Sequence, residues 1–157
     1  MTQLADGSFR IDPASRPWIG DGNGNFMKIL HVDEASGQVI YIQRFATGAQ
    51  HPRHTHHCTA VAFTLSGAWC YDSTRFPVGL VAYEPYRTVH IPHTAAGETA
   101  DVLVVLTSQD RGRLLEIELP GASFELNVAS FAKLMRLTAE QAAAVRTAED
   151  LGAVLMG

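Results

Sequence analysis

The sequence predicts an all-β domain finished by short C-terminal helices. Short runs rich in Val, Ile, Tyr and Phe recur along most of the chain, and Gly, Pro, Asn and Asp punctuate the gaps between them. Only beyond residue 129 do apolar residues take up helical spacing. The chain has 157 residues, which suits one domain, and it shows no internal repeat or low-complexity segment. The expected division is a lead-in over 1–25, a barrel or sandwich over 26–128 and a helical segment over 129–157.

The elements follow in order. Residues 1–20, with Pro13 and Pro17, read as irregular, and Asp21-Gly22-Asn23-Gly24-Asn25 reads as a turn. Phe26 to Val32 is a strand, Glu34-Ala35-Ser36-Gly37 turns the chain, and Val39 to Phe45 is a second strand of β-branched and aromatic residues. Further strands are expected at His54–Leu65, Ala68–Arg75, Leu80–Tyr83, Thr88–Ile91, Asp101–Thr107 and Leu114–Leu119. A turn at Ser66-Gly67 would pair the first two of these as a hairpin. Phe131, Leu134, Met135 and Leu137 recur at helical spacing, Thr138 to Gln141 fits a capping box, and the alanine-rich run to Ala148 has high helix propensity. Gly152 is expected to interrupt the last segment. These helices would pack on the outside of the β-structure or cover an edge.

Composition excludes several classes of function. The formal net charge is -4 and no basic stripe is present, so nucleic acid is not an expected partner. No apolar run reaches the length of about 18 residues that a membrane-spanning helix needs. The first twenty residues carry Asp6, Arg10, Asp12 and Arg16 and no apolar signal core, so a cytoplasmic location is expected. Cys58 and Cys70 have no metal or redox spacing. In the predicted hairpin Cys70 would lie opposite Phe63, so reduced thiols are expected.

The chemistry is concentrated in the histidines. Six of the seven lie between His51 and His93. On an extended strand alternate side chains share a face, so His54 and His56 point the same way and can hold one metal ion. His57 has the opposite parity and should face away. His90 follows in a second turn-and-strand segment.

Two motifs in this region resemble those of the cupin family. Gly48, then His54-Thr55-His56, then Gly67 is similar to the first cupin motif; Gly79, then Pro85, then His90 is similar to the second. The resemblance covers roughly residues 26–119. It implies a single-domain jelly-roll barrel with short C-terminal helices, in which His54, His56 and His90 meet one divalent metal. The usual first-motif glutamate falls at Ala60, so that ligand is missing. Phe63 to Asp72, with its Thr-Leu-Ser-Gly-x-Trp-x-Tyr-acid run, and the Tyr83-Glu84-Pro85 run before His90 are similar to 2,4'-dihydroxyacetophenone dioxygenases, with acetylacetone dioxygenase and ChrR-type anti-sigma cupins as a related branch.

That likeness implies a non-haem iron dioxygenase that cleaves a carbon–carbon bond in a small ketone or diketone, with Fe(II) as the expected metal and Zn or Ni as alternatives. The acid after the Trp-x-Tyr run can lie at the metal in that family, and the matching residue is Asp72. A two-residue turn would pair Asp72 with Val61; a register one residue different would pair it with Ala60, on the face of the histidines. A solvated carboxylate or a pair with Arg75 is the competing reading. Phe63, Trp69 and His93 are candidates for a substrate pocket. His51, His57 and His93 are expected at the rim or behind the ligands, and Glu84, before Pro85, is expected to make a structural hydrogen bond. No general base is apparent. The expected partners are a small-molecule substrate and dioxygen, with a homodimer plausible from the habits of the family. A zinc-holding, ChrR-like sensor without catalysis is the alternative from a different class, and a metal-dependent isomerase, lyase or hydrolase is a third.

Overall fold

The computed structural model describes all 157 residues. In chain order the strands are β1 (Thr2–Gln3), β2 (Phe9–Arg10), β3 (Ile19–Gly20), β4 (Asn25–Asp33), β5 (Gln38–Phe45), β6 (His54–His56) and β7 (Cys58–Tyr71). There follow β8 (Thr74–Pro77), β9 (Val81–Glu84), β10 (Val89–His90), β11 (Ala100–Ser108), β12 (Arg113–Leu119) and β13 (Ala122–Asn127). Three helices close the chain: α1 (Val128–Met135), α2 (Ala139–Ala144) and α3 (Ala148–Met156).

The strands form two main sheets. The larger runs β3-β4-β5-β11-β7-β8, with β9 also paired to β7; the smaller runs β10-β6-β12-β13. All the pairs are antiparallel. The period-2 alternation is clear in β11, where Val102, Val104 and Leu106 are buried. They join Val39 and Tyr41 of β5 and Leu115 and Ile117 of β12 in one core. Along the buried side of β7 the residues are small, Ala60 and Ala62. Small residues there leave room for a cavity. The outward side chains of the same strands, Val61, Phe63 and Leu65 on β7 and Val81 and Tyr83 on β9, are exposed.

The main departure from expectation is in β7. The predicted hairpin at Ser66-Gly67 is absent: β7 continues to Tyr71, and the chain turns at Asp72–Ser73 to pair with β8. Gly67 serves a different purpose. Its φ is 66°, and a Cβ built on it would lie 1.9 Å from the Thr99 carbonyl oxygen. Beside it, the register of β7 against β11 shifts between Asp101 and Val102. Glycine here permits a bulge and close approach of the neighbouring strand. Cys58 and Cys70 therefore lie towards opposite ends of one strand, both as free thiols.

Smaller corrections follow the same logic. The lead-in holds the β1–β2 ribbon, and β3 joins the larger sheet. β13 went unpredicted because most of its residues are exposed, which leaves no apolar alternation to read. α1 begins at Val128, where Asn127 and Ser130 cap one another, and Thr138 and Gln141 form the predicted capping box of α2. The alanine run stops at Ala144, and Thr147 starts α3 with a third box; Gly152 lies inside that helix. α1 covers the sheet with Phe131 and Leu134, each 1% exposed. The Phe131 ring lies 5.4 Å from that of Tyr41. No helix is long and apolar enough to cross a membrane.

Candidate metal centre

Strand parity and strand pairing assemble the site. His54 and His56 are both buried while Thr55 between them is not, as alternation requires. β10 lies beside β6 with His90 directly opposite His54. On the other flank of β6, Ile117 stands opposite His54 and Leu115 opposite His56, so apolar residues support the imidazoles. The Nε2 atoms converge: His54 to His56 at 3.2 Å, His56 to His90 at 3.0 Å, and His90 to His54 at 3.0 Å. These three residues form a group whose ligand atoms could hold one metal ion.

The groups behind the imidazoles aim the lone pairs. His54 Nδ1 lies 3.0 Å from the Pro52 carbonyl oxygen, which accepts its N–H and leaves Nε2 free to ligate. His56 Nδ1 lies 3.8 Å from Cys58 Sγ, whose S–H donates to the Leu114 carbonyl. Burial lowers the pKa of His56 to about 2 and of His90 to about 3, and lowers that of His54. The imidazoles are therefore neutral, as metal ligands must be.

Glu84 approaches the three histidines from the other sheet. β9 pairs with β7 so that Glu84 stands opposite Ala60, the position where the first-motif glutamate is missing. Glu84 is 4% exposed. Its Oε2 lies 3.6 Å from His56 Nε2 and its Oε1 3.6 Å from His90 Nδ1, both longer than a hydrogen bond. Neither Glu84 Oε1 nor His90 Nδ1 has a hydrogen-bond partner, so the structural hydrogen bond expected of Glu84 is not made. Burial raises its pKa to about 7.

The donor set fits a divalent ion. The Nε2 lone pair of His54 faces the Nε2 atoms of His56 and His90, and a cation between the three could be held by all of them. At a metal–nitrogen distance of about 2.1 Å, two cis ligands of an octahedron are ~3.0 Å apart and two of a tetrahedron ~3.4 Å. The observed 3.0–3.2 Å suits three nitrogens around one such ion, and three ligands would leave at least one position open for others in either geometry. A buried carboxylate at the edge of the cluster would offset part of the ion's charge.

Around the cluster lies a cavity of about 50 Å³. Its apolar wall includes Phe45, Trp69, Val102, Val104 and Leu106; Tyr41, Gln43, His51 and Glu84 supply polar atoms. Of the predicted pocket residues, Trp69 lines the cavity. Phe63 does not, because an odd position on β7 faces outward and leaves it 38% exposed. His93 does not either: it bridges to Gln50 and Cys70, and its Nδ1 lies beside the Ile91 carbonyl. His57 faces away, bound to Glu116 and Arg113. Asp72 is exposed in the β7–β8 turn with φ at 50°, apart from the histidines. The Ser66-Gly67 hairpin, which in a register shifted by one residue would have set Asp72 opposite Ala60, does not form.

Two facing β-sheets, with a histidine cluster between them able to hold a divalent metal, define a cupin. The ChrR Cupin-like domain family matches residues 6–109, and this chain belongs to it. Among solved structures, an RmlC-like cupin from Ralstonia eutropha aligns over 75% of this chain and 79% of its own, at 22% identity and a TM-score of 0.64. A candidate acetylacetone dioxygenase from Methylibium petroleiphilum aligns over 84% of this chain and 98% of its own, at 15% identity and a TM-score of 0.61. The anti-sigma ChrR of Rhodobacter sphaeroides, solved in complex with SigE, aligns over 57% of this chain and 47% of its own, at 21% identity and a TM-score of 0.52. At such identities the likeness establishes the fold. No curated protein matches the chain.

Proposed function

We propose that the protein is a metal-dependent dioxygenase that cleaves a carbon–carbon bond in a small ketone or diketone, with Fe(II) held by His54, His56 and His90. The observation that carries this reading is the buried set of three neutral imidazoles beside a partly apolar cavity, three ligands that would leave coordination positions free on a divalent ion. The candidate acetylacetone dioxygenase with this fold supports it. The bound ion would supply Lewis acidity towards the substrate oxygen and a meeting place for dioxygen. Both oxygen atoms end in the products and the substrate supplies all the electrons, so no external reductant is needed. The chain's own residues do the rest. Pro52 holds the His54 ring in place, and Leu106, Val104 and Trp69 exclude water. Glu84, the only carboxylate at the cavity, accepts the proton that the ketone loses on becoming an enolate.

A second reading has its own support. The matching family takes its description from ChrR, an anti-sigma protein, so a zinc-holding module that binds a metabolite without turnover is the alternative. Anaerobic purification with metal analysis, followed by oxygen uptake with a panel of β-diketones and α-hydroxyketones, separates the two. Iron with substrate-dependent uptake is expected. Tightly held zinc and no uptake with iron-loaded protein would favour the binding module.

A further inference from the structure

Resting on the reading of the metal cavity as a substrate site, we infer that His51 sets the length of ligand that reaches the ion, because it divides the cavity from a larger groove outside it. The cavity, of about 50 Å³, is small. A water takes about 10–15 Å³ of such space, so there is room for roughly four waters, or for a ligand of a few non-hydrogen atoms. The groove, of about 290 Å³, runs along Asp21, Asn25, Gln50, Pro52, Glu118 and Pro120. Of all the residues that line the two spaces, His51 alone belongs to both.

The backbone of this residue is fixed independently of its ring. The His51 N–H donates to the Pro92 carbonyl at 2.8 Å, and Gln50 before it bridges to His93. The Gln50 carbonyl accepts from Asn25 Nδ2 at 3.1 Å. Pro52 after it keeps His51 out of the helical region. The ring, in contrast, is held by packing alone. Its centroid lies 4.8 Å from that of Phe45 and 5.9 Å from that of His54, and no side-chain hydrogen bond ties it. Truncating the ring therefore removes the partition and leaves the loop in place. The groove beyond it presents acceptors. Asn25, only 6% exposed, gives its amide hydrogens to Asp21 and Gln50 and leaves Oδ1 without a partner. No Lys or Arg lines the groove, so an extension that ends in a hydroxyl suits it.

The test is binding without turnover. The full chain is loaded with cobalt(II), whose visible absorption changes when an outside ligand reaches the ion. Two hydroxamates with one head group are titrated, acetohydroxamic acid and 6-hydroxyhexanohydroxamic acid. The head meets the ion alike in both, so the charge of the ion cancels from the comparison and the tail remains. Wild type should bind the shorter probe at least about tenfold more tightly. His51→Ala should bind both alike, with cobalt content and affinity for the shorter probe at the wild-type level. His51→Phe, which keeps a ring there, should discriminate as wild type does. Should His51→Ala fail to fold, His51→Ser takes its place. Equal binding of the two probes by wild type would overturn the inference. So would discrimination that survives truncation, loss of discrimination in His51→Phe, or no spectral response to either probe. Oxygen uptake by the iron-loaded protein is read separately. Length selection without uptake removes the dioxygenase and keeps the partition; uptake with equal binding of the two probes does the reverse.

Discussion

Asp72 and Glu84 are the two carboxylates between the histidine pair and His90, and the fold places them in opposite environments. Asp72 lies in an exposed turn with a left-handed backbone. Glu84 lies buried on β9, within 3.6 Å of two of the three histidines. Strand length makes the difference. Because β7 runs through Gly67 to Tyr71, its turn carries Asp72 away, and β9 instead comes alongside Ala60 with Glu84 inward. The strand paired with β7 thus brings a carboxylate beside the position where the first motif lacks one.

The largest effect expected is on the cluster both acids are measured against. His56→Ala should abolish most metal binding, as read by metal content after dialysis; a stoichiometric ion in that variant would dissolve the site. Next is the contrast itself. Glu84→Gln keeps the shape and removes the charge, and should weaken metal binding about 10–100-fold in a competition titration. Asp72→Asn should leave the affinity at the wild-type value. Equal effects of the two changes would erase the distinction.

A pH series on metal-free protein sharpens it further. His51 and His90 are lowered to about 3 and His56 to about 2, from an ordinary 6.5, by burial. Their stabilisation is full above about pH 6.5 and is lost as the pH falls, because the unfolded chain takes up protons that the folded one refuses. Glu84, raised from 4.5 to about 7, works in the opposite sense: its stabilisation is full below about pH 4.5 and is lost as the pH rises through 7. The histidines outnumber it, so the thermal midpoint should drop between pH 7 and pH 5. In Glu84→Gln the opposing share is gone and the drop should be steeper. A midpoint that rises on acidification would contradict these burial effects. The smallest change expected is in Asp72→Asn, within about 0.5 kcal/mol of wild type in urea denaturation, since an exposed asparagine tolerates a left-handed turn.

What the sequence made legible was local. Parity on one short strand put His54 and His56 on one face, motif spacing added His90, and Thr138 to Gln141 marked a helix start. What stayed hidden depended on contacts between distant segments. Glu84 could be placed only from the register of β9 against β7, although its position six residues before His90 was already visible. Gly67 looked like a turn because nothing in the chain announces the Thr99 carbonyl that it must accommodate. Phe63 was misassigned to the pocket because an apolar residue on a strand gives no sign of its side when both faces carry apolar residues.

The sharing of the centre between sheets has a mechanical consequence. His54, His56 and His90 belong to the smaller sheet, and Glu84 belongs to the larger one. An ion held by the histidines and drawn to Glu84 would rivet the two sheets at this end of the molecule. β9 is short and paired on one side only, by β7, and would open readily without that rivet. Amide hydrogen exchange along Val81–Glu84 should therefore slow when metal is added, while exchange in the helix-covered part of β5 stays as it was.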